Sequence, residues 1–184
     1  MFRNPDPEAI CALLREVKTI AVVGLSPNPE RPAFRVARAL QGFGYRIVPV
    51  RPKVESVLGE KAYASLSDVP GKIDLVDVFR SAEHVGPLVD ECLRLGLGRI
   101  WLQDGIVNEE AAAKAVTGGM TVVMDRCIWR DLTSLPPAPL PGEGGDGCSP
   151  LRGSMSLAAP PLGHPRSTSS GQLRLPLRAR PGGR

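Results

Sequence analysis

The sequence predicts an α/β fold built on a doubly wound, five-stranded parallel sheet. Two observations carry that expectation. Short, largely apolar runs recur along the chain: TIAVV (19–23), RIVPV (46–50), DLVDVF (74–79), RIWLQ (99–103) and MTVVMD (120–125). Segments of helical period separate most of them, opened by capping residues and closed by glycine. Strands alternating with helices imply parallel neighbours and right-handed crossovers, in the order 3-2-1-4-5.

The elements follow in order. Asp6-Pro7-Glu8 reads as a helix start. It has an acceptor at the cap, a proline whose missing N–H is harmless there, and an acid near the positive helix end. Ile10, Leu13, Leu14 and Val17 then share one face. TIAVV is apolar throughout, as a strand buried on both faces reads. A helix over residues 33–41 carries Phe34, Val36, Ala37 and Leu40, and Gly42 and Gly44 end it. RIVPV is the second strand, and Pro49 predicts that its end leaves the ladder. Residues 57–70, VLGEKAYASLSDVP, read as irregular, a turn plus one short helical piece. After the third strand, Ser81 caps a helix reaching to about residue 95, with Glu83 in its first turn. After the fourth, Asn108 caps NEEAAAKAV, which Gly118-Gly119 ends before the fifth strand.

The character changes after residue 132. Residues 133–184 contain 10 Pro and 9 Gly with no sustained period. Such a segment buries too little surface to offset its ordering entropy, so a disordered C-terminal tail is expected behind a 1–132 domain. A linker, or a misassigned reading frame, accounts equally for its composition. The net charge of +4 belongs to the tail, because residues 1–132 balance 17 Lys and Arg against 17 Asp and Glu. A neutral body lacks the electrostatic footprint of a nucleic-acid binder. No apolar run approaches the roughly 20 residues of a membrane span. The N-terminal residues do not form the apolar stretch of a signal peptide. Cysteines 11, 92, 127 and 148 have no metal-ligand spacing and neither histidine is near them. That pattern predicts neither a zinc site nor a secreted disulfide framework, and fits a cytoplasmic location.

The loop GLSPNPERPAF (24–34) follows the first strand, where a doubly wound sheet reverses its strand order and binds its ligand. Gly24 permits a tight turn, the following helix offers free N–H groups, Ser26 adds a hydroxyl and Arg31 a planar cation. Pro27, Pro29 and Pro32 stiffen the loop before any ligand arrives. The plainer account is an ordinary connection stiffened by proline. An NAD site would place an acid after the second strand, about 20 residues past its glycines. Here that segment reads PVRPKVE, with Arg51 and Lys53 in its place. These cations favour a ligand with an extra ribose phosphate, either NADP or coenzyme A, or else they are solvated surface charge.

The stretches VVGLSPNPERPAFRVARALQGFGYRIVPVRPK, LGEKAYASL, DLVDVF, IWLQDGIVNEEAA and VVMDRC resemble the small single-domain CoA-binding proteins of bacteria. That family is similar to the CoA-binding domain of the succinyl-CoA synthetase alpha subunit. The resemblance covers about residues 6–128. It implies a Rossmann-like domain whose first βα loop holds the coenzyme pyrophosphate. On that resemblance, Gly24, Ser26, Pro27, Asn28 and Arg31 match the loop. Val50, Pro52 and Lys53 match the segment flanking the adenosine. Phe79, Arg80 and Gln103 sit at later strand ends facing the same crevice. The family's second strand ends V-N-P-K, whereas Arg51 replaces the asparagine here, either adding a phosphate contact or crowding the ribose. The family also continues past the position of Cys127 with a polar closing segment, where this chain has CIWRDL.

No catalytic constellation is visible: HExxH, a nucleophile elbow, a P-loop lysine and a triad are all missing from the sequence. His84 reads as a solvated or capping residue, Cys127 as a small buried one, and Asp77 as pointing to a neighbouring backbone or to solvent. The expectation is a cytoplasmic module, not an enzyme, that binds coenzyme A or an acyl-CoA. It would act as a carrier, a sensor or a partner subunit, with a partner protein or a second copy, but no nucleic acid and no membrane. An NADP-dependent oxidoreductase or dinucleotide sensor is the alternative on the same fold.

Overall fold

The computed structural model describes residues 2–134. The tail expected to be disordered lies outside the described residues, apart from its first two. Helix α1 (Pro7–Glu16) begins at the predicted cap, where Asp6 accepts a hydrogen bond from the Ala9 N–H at 2.7 Å. Strand β1 (Thr19–Val23), helix α2 (Pro32–Gly42) and strand β2 (Arg46–Val50) follow. The irregular stretch resolves into a two-residue hairpin, β3 (Ser56–Val57) with β4 (Glu60–Lys61), and a 3-10 turn at Leu66–Asp68. Then come β5 (Leu75–Val78), α3 (Val85–Arg94), β6 (Arg99–Leu102), α4 (Glu109–Thr117), β7 (Thr121–Val123) and α5 (Ile128–Ser134).

Five strands form one parallel sheet in the order β2-β1-β5-β6-β7. The chain moves outward from β1 to β2 and then returns to β5 on the other flank of β1. Strand order therefore reverses beside β1. The third predicted strand, residues 74–79, thus lies beside β1 and not outside β2, where an isolated parallel bridge joins Tyr63 to Val50. Val22, Leu75, Trp101 and Val123 point to the face covered by α1, α2 and α5. Val23, Val76, Ile100 and Val122 point to the face covered by α3 and α4. Side chains of successive strand residues alternate between the two cores, and each full burial of a Val, Leu or Ile stabilises by about 1.5–3 kcal/mol.

Four local expectations differ from what is found. Pro49 stays within the strand, opposite Val22. Arg46 donates to Lys18 O and Val50 O accepts from Gly24 N–H, so odd residues of β2 face outward. The missing N–H of Pro49 thus faces the outer edge, and its carbonyl accepts from Tyr63 N–H at 2.9 Å. Ser81 caps no backbone group. Its hydroxyl donates to Glu83 at 3.0 Å and meets His84 Nδ1 at 2.9 Å, and the turn it opens is 3-10 before α3 begins. Asp77 is shut off from solvent and bonds to the Gln103 side chain as well as to the Val78 backbone, as described below. The segment after Cys127 is a helix that buries Ile128 and Leu132. Two such residues over seven are too few for periodicity to reveal it.

Both borders of the sheet carry extra hydrogen bonds. Tyr63 covers β2. Beyond β7, Asn4 donates to Met124 O at 2.8 Å and accepts from Met124 N–H at 2.7 Å.

Candidate functional site

At the carboxyl ends of the strands, beside the reversal point, lies an open cavity of about 710 Å³. That size is within the range of small-ligand sites. Its construction starts at Gly24, whose φ of +88° suits glycine. The Gly24 N–H bonds to Val50 O at 2.9 Å, and the turn runs so close to β5 that a Cβ here would stand 2.8 Å from Phe79 O. Leu25 is fully buried and anchors the loop. Beyond it the loop organises itself. Ser26 Oγ accepts from Asn28 N–H at 3.2 Å, and Asn28 Oδ1 accepts from Glu30 N–H at 2.9 Å. Asn28 O accepts from Arg31 N–H at 3.1 Å, which delivers the chain into α2. No side chain caps α2, and Pro32 opens it. The positive end of the helix therefore meets the cavity without a competing acceptor.

Of the residues singled out in the sequence, Gly24, Ser26, Asn28, Arg31, Arg51, Phe79, Arg80 and Gln103 all line this cavity. Val50 and Pro52 do not; they line a smaller cavity of about 220 Å³ toward α3, which shares Arg80 with the first. Pro27 and Lys53 are exposed and line neither, Lys53 being turned outward on a backbone with φ of +63°. Ala33 and Val36 line the cavity from α2, as does Ile106 from beyond β6. Their helical spacing marks the first two only as core-facing, and nothing local marks the third. Cys127 is half-buried on the wall, not a closed core residue.

The electrostatics are one-sided. Arg31, Arg51 and Arg80 converge from three segments, and among the described residues none of them is in an ion pair. Arg51 Nη1 lies 3.4 Å from Gly24 O, a long contact that holds the guanidinium over the turn. The acid on the wall, Asp104, is taken by Arg130 at 2.7 and 2.9 Å. Asp131 of α5 in turn binds Arg126 through both oxygens, at 2.8 and 2.6 Å. These pairs fasten α5 beside the strand ends and leave the cavity with unpaired guanidinium groups. Such groups match phosphate oxygens in a planar, two-pronged geometry.

Gln103 is 4% exposed, and Asp77, one strand inward, is 0% exposed. Gln103 Nε2 donates to Asp77 Oδ1 at 2.7 Å. Burial is the main influence on the Asp77 carboxyl and pushes it up to about 7, against the lowering pull of the Gln103 and Val78 hydrogen bonds. His84 is exposed and touches Ser81 and Glu83 near the smaller cavity. Among the described residues, no group of three or more His, Cys, Asp or Glu could hold a metal ion. None of their helices is long and apolar enough to cross a membrane.

Residues 18–133 match a family described as a CoA binding domain. Over 127 residues the chain is 43% identical to the uncharacterized protein YneT of Bacillus subtilis, covering 69% of this chain and 94% of that one. It is 33% identical over 120 residues to the alpha subunit of an ADP-forming acetate–CoA ligase from Pyrococcus furiosus. That match covers 59% of this chain but only 26% of the subunit. Among solved structures, a hypothetical protein from Pyrococcus horikoshii superimposes with a TM-score of 0.69 at 38% identity, covering 72% of this chain and 96% of that one. The family match spans the β1 turn, every strand and the closing helix together, and on it the chain belongs to the CoA-binding domain family.

Proposed function

We propose that this protein binds coenzyme A or an acyl-CoA in the 710 Å³ cavity. The phosphates would lie against the β1 turn, the open end of α2 and Arg31. The observation that carries this reading is the convergence of Arg31, Arg51 and Arg80, all without acidic partners, on one cavity in a chain of this family. Arg51 and the neighbouring Val50 and Pro52 serve the adenosine and its 3′ phosphate. Arg80 stands between the two cavities, so a ligand filling both would pass it.

The chain acts in this reading as a carrier, sensor or partner subunit in the cytoplasm, and not as a catalyst. Its cavity offers cations, a glutamine and a thiol, but no paired acid and base within reach of one another. The ligase relatives are far longer than the part this chain matches, so their chemistry is not carried over. Isothermal titration with coenzyme A, acetyl-CoA, NADP and NAD tests the proposal. Micromolar binding of coenzyme A or its acetyl ester is the expected result. Binding of NADP with no heat from coenzyme A or acetyl-CoA would replace it with a dinucleotide site.

A further inference from the structure

Asp77 is an expensive residue to keep where it is. It occupies the central strand between Val22 of β1 and Trp101 of β6, on a face otherwise packed by apolar residues of α1, α2 and α5. Its Oδ2 has no hydrogen-bond partner among the described residues. A buried carboxyl with an oxygen left unbonded is costly relative to an apolar residue of the same shape. What it does make is a single side-chain bond, to Gln103. Gln103 is the buried polar side chain on the cavity wall.

An amide side chain has a donor end and an acceptor end, and a rotation of half a turn exchanges them. An ionised carboxylate only accepts, so it selects the NH2 end of Gln103 and holds it inward. The planar amide then turns its Oε1 the other way. We infer that Asp77 is a positioning residue: it fixes Gln103 so that a carbonyl oxygen faces the cavity and selects a ligand segment bearing an N–H or S–H donor. This rests on the coenzyme reading above and refines it. Arg31, Arg51 and Arg80 line the same cavity and supply donors for phosphate oxygens, and Gln103 supplies an acceptor. The cavity lining is thus complementary to a molecule that carries both phosphates and an arm with donor groups. The pantetheine arm, with amide N–H groups and a terminal thiol, has that chemistry.

The test uses the full chain at pH 8, where the carboxyl is ionised, and three proteins: wild type, Asp77→Val and Asp77→Asn. Valine is close in shape but cannot accept; asparagine keeps an oxygen for Gln103. In the ligand-free protein, NMR of the Gln103 side-chain NH2 should show a hydrogen-bonded, exchange-protected proton in wild type and Asp77→Asn. That signature should vanish in Asp77→Val. Titration should show coenzyme A binding about three- to tenfold more weakly to Asp77→Val and within about twofold of wild type for Asp77→Asn. Adenosine 3′,5′-bisphosphate, which has phosphates but no arm, should bind all three alike. An unchanged Gln103 signal in Asp77→Val, unchanged coenzyme affinity, or an equal loss for the bisphosphate would each overturn the inference. Failure of wild type to bind coenzyme A would defeat the coenzyme reading instead, and the NMR comparison would still decide the role of Asp77.

Discussion

Replacing Gly24 with alanine strains the β1 turn in two separable ways. The first is conformational. At φ of +88° an L side chain is disfavoured, by roughly 1–2 kcal/mol. The second is steric. The new Cβ would lie 2.8 Å from Phe79 O and 3.2 Å from Phe79 C and Arg80 Cγ. The arginine can swing aside, but the Phe79 backbone cannot. Phe79 N–H is bonded to Val23 O at 2.9 Å at the end of the β1–β5 ladder. Overpacking against fixed neighbours costs about 1–3 kcal/mol. The sum is a loss of about 2–5 kcal/mol, a large part of the 5–15 kcal/mol typical of a domain. Gly44→Ala isolates the first contribution, because Gly44 has φ of +91° with nothing within 4 Å of an added Cβ. Urea denaturation of both variants, with the slopes compared, measures the two terms. Gly24→Ala should be the less stable by at least about 1 kcal/mol. Equal losses would mean that the turn is not pressed against β5, and the account of the site's floor would fail.

Asp77 makes stability depend on pH in an unusual direction. Its folded carboxyl is raised from 3.8 to about 7, so the folded protein holds the proton more tightly than the unfolded chain. That contribution is full below about pH 4 and is lost as pH rises through about 7. Between pH 5 and pH 8 the wild type should lose roughly 2–3 kcal/mol relative to Asp77→Asn. Parallel stability curves for the two proteins would refute it. Arg31→Ala should weaken coenzyme A by about 1–3 kcal/mol in titration, and the loss should shrink at high salt. Unchanged affinity would return Arg31 to the solvated surface. Asn108→Ala removes a cap to Ala111 N–H and a bond to Ala82 O, both 2.9 Å, and should cost about 1–2 kcal/mol by thermal denaturation. A loss below about 0.3 kcal/mol would show that water replaces both bonds.

The strands were legible because burial on both faces demands apolar runs, and the helices because Asp6 and Asn108 cap them by local chemistry. The β1 loop was legible for the same reason: Gly24 and Arg31 belong to one short segment whose place at the strand end follows from topology. Residues that meet through the register were not. Asp77 and Gln103 are 26 positions apart, and only the pairing of Asp77 with Trp101 brings Gln103 over it. A carboxylate in an apolar strand reads as facing outward until both faces are known to be covered. Pro27 and Lys53 show the converse limit. They are neighbours of cavity residues in sequence, yet the turns that carry them direct them outward. Resemblance assigned them by position, and position along a turn does not fix direction.

Asn4 has a consequence for how copies of this protein could associate. Its side-chain amide offers Met124 one donor and one acceptor, as the peptide group of a neighbouring strand would. At the opposite margin the Tyr63 backbone bonds to Pro49 and Arg51, so each rim is blocked at one point against a foreign strand. A second copy adding its strand at either rim would first have to displace that bond, whereas contact through the helical flanks would leave it in place.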